Sequence, residues 1–279
     1  MSGASSGRDA PPGESGASGE IAGQHDALAG ELGAMLSDGD VARLRECVAA
    51  GGLVVFPADT VYGLGCDPCS ESAVRRLYEL KGRPPERPAA VMFFALEAAL
   101  RALPELGPRT RAALSSLLPG PLTLLLPNPA HRYPLACSPA LALARDRALA
   151  PDRPPAEDRP PAAGRPPAED RPPAAGHSDP ALDTIGLRVP RLPDQIAVLG
   201  AFEGPLLQSS ANRSGEPDCL RLADIPDEIR EGAGLVLDGG ELPGIASTVL
   251  DLKDYERSGG WRIAREGPLG AAEIERLLG

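Results

Sequence analysis

Residues 53–65 read Leu-Val-Val-Phe-Pro-Ala-Asp-Thr-Val-Tyr-Gly-Leu-Gly. The run 53–56 is wholly apolar, which is typical of a strand that is buried on both faces of a sheet. Pro57 has no N–H to donate to a strand ladder, so we expect the strand to end there. Residues 58–65 then predict a polar loop at the end of a buried strand, where α/β proteins usually place ligands.

A helix is predicted on each side of this stretch. Before it, apolar residues at helical spacing indicate a helix over 38–48, with Ser37 or Asp38 as its N-cap. After it, Ser70 is expected to cap a second helix that runs to Leu80 and is broken by Lys81-Gly-Arg-Pro84.

Further along the chain, apolar runs and helical patterns alternate. Strands are predicted over 89–94, 122–126, 185–189, 205–207, 235–237, 247–252 and 261–264. Helices are predicted over about 95–103, 108–117, 193–202, 222–231 and 271–278. This alternation predicts an α/β fold with a largely buried sheet.

Two segments lack the apolar pattern of a packed domain. Residues 1–36 are dominated by Gly, Ser and Ala, and bury too little apolar surface to offset their conformational entropy. Residues 138–182 contain a twelve-residue direct repeat, Arg153–Gly164 and Arg165–Gly176, whose paired prolines favour an extended chain. We therefore expect one domain over 37–279, with a disordered tail before it and a disordered Pro-rich insert within it.

Composition narrows the class of protein. The formal net charge of −11 argues against a broad basic surface for nucleic acid. No run of about 18 apolar residues and no signal-peptide core are present, so a cytoplasmic protein with no membrane contact is expected. The five cysteines have no framework spacing, and the single Cys66-x-x-Cys69 lacks a second pair, so reduced thiols are favoured over a zinc site.

Cations, hydroxyls and one amide recur where the predicted elements end or turn. They are Thr60, Lys81, Arg83, Arg87, Thr123, Ser210, Asn212, Ser247 and Arg265. Taken one at a time, each is equally well explained as a turn residue, a helix cap or a solvated end. Arg188 is different, because it lies within an apolar strand and a buried charge needs a partner or an anionic ligand. Together these residues indicate a pocket for a polyanion, since Arg clamps phosphate or carboxylate with two parallel hydrogen bonds.

Nucleotide-binding glycine loops are absent: the chain has neither G-x-x-x-x-G-K-[ST] nor a G-x-G-x-x-G after a strand. Seven segments in chain order nevertheless resemble the YrdC-like family, whose members are threonylcarbamoyl-AMP synthases. They are Phe56–Gly65, Lys81–Pro84, Pro119–Thr123, Gly186–Pro190, Ser210–Gly215, Ser247–Val249 and Arg265–Gly267. The resemblance covers about 38–279 apart from the insert, and implies the short form of the family.

The resemblance implies an α/β fold: a single YrdC-like domain with a twisted mixed sheet, flanked by helices, around a large concave and positively charged cavity. It implies a nucleotidyltransferase that condenses L-threonine, bicarbonate or CO₂, and ATP into L-threonylcarbamoyladenylate and pyrophosphate. The product would serve N6-threonylcarbamoyladenosine formation in tRNA through a downstream tRNA threonylcarbamoyl transferase complex. Mg²⁺ would accompany the triphosphate.

The resemblance also assigns roles to residues, with no metal site built from protein side chains alone. Contacts to threonine are expected from Thr60, Arg188, Gln208 and Ser247. Contacts to ATP are expected from Arg83, Arg87, Thr123, Ser210, Asn212, Asp218 and Arg265. Lys81 and Arg83 are expected to act in catalysis, which needs no covalent enzyme nucleophile.

Two other hypotheses remain open at this stage. The chain departs from the family pattern at Ala58, Arg87, Ala89 and Met92, positions expected in the substrate pocket. A paralogue that binds nucleotide or double-stranded RNA without making the product is therefore one alternative. An interaction protein that uses the Pro-rich repeats as a tether is the other.

Overall fold

The structure, a computed structural model, describes residues 35–140 and 180–279. Most of the predicted disordered tail and of the predicted Pro-rich insert lies outside these residues. The proposed tethering role of the repeats lies outside them as well and stays a prediction.

Nine strands are formed within the described residues. They are β1 (Val54–Pro57), β2 (Tyr62–Cys66), β3 (Ala90–Met92), β4 (Leu122–Pro127), β5 (Thr184–Arg188), β6 (Leu206–Ser210), β7 (Leu235–Val236), β8 (Thr248–Asp251) and β9 (Arg262–Arg265). The strands pair in one sheet in the order β7-β1-β2-β6-β3-β5-β4-β8-β9. The pairs β1–β7, β3–β5 and β4–β8 are parallel and the other five pairs are antiparallel, so the sheet is mixed.

Eight α-helices lie between or beside the strands in the described part of the chain. They are α1 (Asp38–Ala49), α2 (Glu71–Lys81), α3 (Leu96–Ala102), α4 (Pro108–Leu117), α5 (Pro134–Cys137), α6 (Asp227–Gly232), α7 (Tyr255–Ser258) and α8 (Ala271–Leu278). Three 3₁₀ segments add to them, over Pro180–Asp183, Asp194–Ala201 and Leu222–Asp224.

The two helices on either side of residues 53–65 begin where a serine side chain caps them. Ser37 caps α1 and forms a capping box with Asp40, in which each side chain bonds the other residue's backbone N–H. Ser70 caps α2 by accepting a hydrogen bond from the Ala73 N–H, and Gly82 ends α2 in the left-handed region at φ 58°. Both predicted helices are confirmed.

The predicted loop over 58–65 is wrong, because its second half is strand β2. This strand is buried at every position and pairs antiparallel with β1, placing Gly63 opposite Phe56. A side chain at Gly63 would begin 2.8 Å from Cζ of the Phe56 ring. The glycines that suggested a loop are therefore the positions where the strand makes room for an aromatic ring. Only 58–61 remain as the connection between β1 and β2.

Two of the predicted helices are not continuous α-helices in the structure. The segment expected over 193–202 is a 3₁₀ helix, Asp194–Ala201. The one expected over 222–231 is divided into a 3₁₀ turn and α6, with Pro226 at the N-cap of α6. A proline there is compatible with the start of a helix but not with continuation of an earlier one.

The sheet separates two hydrophobic clusters. Val54 and Phe56 of β1 point to one cluster, which α1 and the 3₁₀ helix Asp194–Ala201 cover. Val55 points to the other and larger cluster, to which α2, α4 and α8 contribute. Successive residues of a strand point to opposite faces, so the apolar run 53–56 reflects burial on both sides. The predicted α/β class is confirmed.

We expect Gly63→Val to lower the free energy of unfolding by about 1–3 kcal/mol, because a side chain at this fully buried position collides with the Phe56 ring. The matched control is Gly39→Ala in exposed α1, where the nearest atom to an added Cβ is 3.5 Å away. That control should raise stability by about 0.5–1 kcal/mol. Chemical denaturation of both variants checks the pair, and equal stability of the Gly63→Val variant and wild type would contradict it.

Candidate active site

A cavity with about 640 Å³ of empty space opens where loops and strand ends from across the sheet converge. Nine residues predicted for the site line it: Thr60, Arg83, Thr123, Arg188, Gln208, Ser210, Asp218, Ser247 and Arg265. They come from the β1–β2 connection, the end of α2, and strands β4, β5, β6 and β9 or the segments beside them. Segments far apart in sequence therefore form one pocket.

The buried end of this cavity is built around an ion pair. The Arg188 Nη2 group donates to Oδ1 of Asp59 at 2.7 Å and lies 3.2 Å from Oγ1 of Thr60. Both charged side chains are only 5% exposed. Among the described residues, no group bonds the buried Nε of Arg188. Arg188 thus has the partner that its place in an apolar strand required.

Burial shifts both members of this pair away from their charged forms. Desolvation raises the pKa of the Asp59 carboxyl, and the nearby Arg188 charge opposes that rise. Desolvation also lowers the pKa of Arg188, while Asp59 opposes that fall. The backbone N–H of Arg191 donates to the second Asp59 oxygen at 3.3 Å, which fixes the carboxylate from its other side. Each charge therefore depends on the other to remain inside the protein.

Asp59 is a site residue that the sequence prediction missed. It was visible as a polar residue of the first loop, and the need of Arg188 for a partner was recognised. The two lie on segments separated by much of the chain, so only the fold shows that they meet. Ser209, which lines the cavity, was missed too, because the resemblance assigned roles only to its neighbours Gln208 and Ser210.

A second group forms where β4, β8 and β9 adjoin. Thr123 Oγ1 and Ser247 Oγ are 2.8 Å apart. Arg265 donates from Nη2 to the Ser247 carbonyl at 2.7 Å and lies 3.3 Å from its hydroxyl. All of these acceptors are neutral, so the Arg265 charge is oriented but not cancelled by them.

Arg83 is held at the opposite wall. Its Nη2 donates to the Pro88 carbonyl at 2.7 Å and its Nε to the Arg87 carbonyl at 3.3 Å. Its guanidinium carbon lies 5.7 Å from the centre of the Tyr78 ring, and the Tyr78 hydroxyl also donates to the Arg87 carbonyl at 2.8 Å. These neutral contacts fix the direction of Arg83 while leaving its charge for a ligand.

Lys81 does not line the cavity, although the sequence placed it in the site. Its side chain is buried, and its Nζ donates to the carbonyls of Ser210 and Asn212. Burial, together with the charge of the neighbouring Arg83, lowers the pKa of Lys81 to about 8. Lys81 therefore lies behind the segment that carries Ser210 and supports it.

Two more of the predicted residues lie outside the lining. Asn212 is buried, accepts from the Ser210 hydroxyl through Oδ1, and donates from Nδ2 to the Glu216 carbonyl. Arg87 contributes its backbone carbonyl to the Arg83 wall, whereas its side chain is exposed. Asn212 thus acts on the shape of the loop, and the structure does not bring the Arg87 side chain into the cavity.

The departures from the family pattern fall mostly outside the cavity. Ala58 and Met92 are fully buried in the cluster beneath α1, and neither lines the pocket. Of the two remaining positions, Ala89 lines the cavity and Arg87 does not. The expectation that all four changes touch the substrate pocket is therefore wrong for Ala58, Arg87 and Met92.

The cavity contains three guanidinium groups and one lining carboxylate, Asp218. Such an arrangement can hold a multiply charged anion beside a second, smaller one.

Within residues 35–140 and 180–279, no three His, Cys, Asp or Glu side chains come together to hold a metal ion by themselves. All five cysteines are free, and burial raises the pKa of the Cys66 thiol to about 12, so this thiol is protonated. In the same ranges, no helix is both long and apolar enough to cross a membrane.

Comparison with known proteins gives a consistent family. The family model Sua5/YciO/YrdC, described as "Telomere recombination", matches residues 46–143 and 168–267. The threonylcarbamoyl-AMP synthase of Chromohalobacter salexigens is 31% identical over 219 residues, which cover 77% of this chain and 95% of that protein. The threonylcarbamoyl-AMP synthase of Pyrococcus abyssi is 28% identical over 236 residues, 83% of this chain but only 55% of that protein. The chain thus spans about half the length of the latter relative.

Solved structures agree with this comparison. A crystal structure of Pyrococcus abyssi Sua5 complexed with L-threonine is 25% identical, with a TM-score of 0.60 over 88% of this chain and 58% of that one. Escherichia coli YciO has a TM-score of 0.56 over 84% of this chain and 91% of its own, and at 22% identity supports the fold alone. Since the family match spans more than half of the sequence and the fold agrees, this chain belongs to the Sua5/YciO/YrdC family.

Proposed function

We propose that this chain is a threonylcarbamoyl-AMP synthase, which joins L-threonine, bicarbonate or CO₂, and ATP into threonylcarbamoyl-AMP and pyrophosphate. The observation that supports it most is the division of the cavity between a buried Arg188, paired with Asp59, and the two more accessible cations Arg83 and Arg265. A small carboxylate suits the first, and a triphosphate suits the second. The names of the similar proteins agree with this division.

The threonine subsite is proposed around Arg188. Its guanidinium lines the cavity, with Nη2 3.2 Å from the Thr60 hydroxyl, and would donate to the amino-acid carboxylate. Ser247 and Gln208, both buried and both in the lining, would supply polar contacts to the amine and the side-chain hydroxyl. A buried site with convergent polar groups excludes water and fixes one orientation of a small substrate.

The ATP subsite is proposed between Arg83 and Arg265, with the Thr123 and Ser210 hydroxyls between them. Mg²⁺ typically binds proteins through one or two carboxylates together with substrate phosphates. Asp218, the carboxylate of the lining, fits that requirement and would hold the ion, which neutralises phosphate charge when bound.

Catalysis then rests on positioning. The threonine amine forms a carbamate with CO₂, releasing a proton, or with bicarbonate, releasing water, and a carbamate oxygen attacks the α-phosphorus of ATP. The bond to the β-phosphate breaks and pyrophosphate leaves. Arg83 and Arg265 would stabilise the charge that develops on the phosphates, and no enzyme nucleophile is needed. This reaction makes the protein a nucleotidyltransferase.

Lys81 is proposed as a positioning residue, since it touches the loop of Ser210 and not the cavity. The product would pass to a tRNA threonylcarbamoyl transferase complex, which places the whole activity in the cytoplasm with tRNA. The alternative hypothesis was a nucleotide-binding paralogue without synthase activity. It has less support, because it relied on Ala58 and Met92 lying in the substrate pocket and both lie in the core.

Pyrophosphate release from ATP should require both L-threonine and bicarbonate. The purified protein would be assayed with each component left out in turn, and the adenylate product identified by mass spectrometry. A requirement for both substrates separates a synthase from a paralogue that only binds nucleotide. Pyrophosphate release that is indifferent to L-threonine would sink the proposal.

Arg83→Ala should reduce adenylate formation by about a thousandfold, because a preorganised charge on the transferring phosphates is lost. The matched control is Arg101→Ala, which removes an exposed arginine of α3 outside the cavity. The control should turn over at the wild-type rate, and circular dichroism should show that both variants fold. Wild-type turnover by the Arg83→Ala variant would refute the assignment of this residue.

The KM for ATP should rise as the pH increases through about 8, where Lys81 loses its proton. A neutral amine donates more weakly to the carbonyls of Ser210 and Asn212, so the ATP-binding loop loosens. Lys81→Met, which has no donor at all, should have a raised KM at every pH and no such step. A step of equal size in Lys81→Met would show that another group titrates.

A further inference from the structure

We propose that Asp59 is a specificity-determining residue, which reserves Arg188 for the amino-acid carboxylate and keeps the triphosphate away from it. The inference rests on the function proposed above and deepens it. Both substrates carry anionic groups and enter the same cavity, so something must decide which cation each group meets. The geometry points to the Asp59 carboxylate as that determinant.

The three arginines of the cavity differ in what they bond. Arg83 bonds the carbonyls of Pro88 and Arg87 and lies 3.5 Å from the Ser209 hydroxyl, and Arg265 bonds the carbonyl and hydroxyl of Ser247. Arg188 alone of the three bonds a carboxylate within the described residues. Arg83 and Arg265 thus keep their full charge toward a ligand, whereas the Arg188–Asp59 pair has no net charge.

A neutral pair treats the two substrates differently. A triphosphate is drawn by net positive charge, and at the pair its attraction to Arg188 is opposed by repulsion from Asp59. A single carboxylate needs a directed donor, which the guanidinium of Arg188 in the cavity lining supplies. The pair therefore favours an amino acid over a triphosphate, because the amino group adds no negative charge to that of the carboxylate.

Burial makes this selection necessary. Arg188 is 4% exposed, while Arg265 is an exposed residue of β9. Charges attract more strongly where water is excluded, so without Asp59 the deep guanidinium would be the strongest phosphate site of the cavity. Asp59 is also held by the Arg191 N–H, so it cannot turn away when an anion arrives.

The test compares Asp59→Asn with Asp251→Asn, a matched control. Asp251 is a 7% exposed carboxylate that bonds Arg262 at 2.8 Å and does not line the cavity. In Asp59→Asn, the KM for L-threonine should rise about tenfold or more while the KM for ATP stays within about twofold. Tripolyphosphate should compete with L-threonine in this variant and only with ATP in wild type. Asp251→Asn should behave as wild type.

A second variant separates charge from position, and guards against loss of folding in Asp59→Asn. Asp59→Glu keeps the negative charge but moves it, so the KM for L-threonine should rise while tripolyphosphate still fails to compete with L-threonine. Competition between tripolyphosphate and L-threonine in the wild-type protein would overturn the inference without any variant. An unchanged KM for L-threonine in a folded Asp59→Asn protein would overturn it as well.

Failure of the proposed function is recognised separately. Calorimetric titration of tripolyphosphate into the protein without other substrates needs no turnover. Asp59→Asn should bind it more tightly than wild type, or at an additional site, even if no adenylate is ever formed. If tripolyphosphate binding improves in Asp59→Asn but the protein shows no synthase activity, the proposed function is rejected and the proposed charge selection is retained. Equal binding by both proteins rejects the selection itself.

Discussion

The buried pair of Arg188 and Asp59 is the interaction on which the site depends. In the sheet, β1 and β5 are separated by β2, β6 and β3, so the pair joins the β1–β2 connection to a strand end across three intervening strands. Removing one partner of a buried pair leaves an uncompensated charge and is strongly destabilising. The same pair therefore sets the shape of the deep end of the cavity and the charge that a ligand meets there.

That pair can form only because the hairpin of β1 and β2 is tight. Gly63 faces Phe56, and the ring fills the space that a side chain would take. The four residues of the connection are then held at the strand ends, where Asp59 bonds Arg188 and Thr60 lines the cavity. A packing constraint among apolar and glycine residues thus determines where two polar residues meet Arg188.

The sequence predicted what depends on neighbours along the chain. The caps at Ser37 and Ser70 and the doubly buried run 53–56 are local patterns, and each was found where expected. Strand β2 was not predicted, because its glycines serve a ring on another strand. The place of Lys81 behind Ser210 was not predicted either, since a lysine at a helix end gives no local sign of whether it meets solvent or a distant loop. Nine of the residues that line the cavity were nonetheless predicted, because the resemblance extended over most of the chain.

The charge of the whole chain and the charge of its cavity have opposite signs. A net charge of −11 excludes a broad basic surface, yet three guanidinium groups converge in one concave pocket. Such a pocket concentrates positive potential where low-dielectric walls surround it. Small anions that reach the mouth are thereby drawn inward, and the different partners of the three arginines then distinguish between them. Selection inside the cavity requires no surface charge of its own, because it depends only on which guanidinium already has a carboxylate beside it.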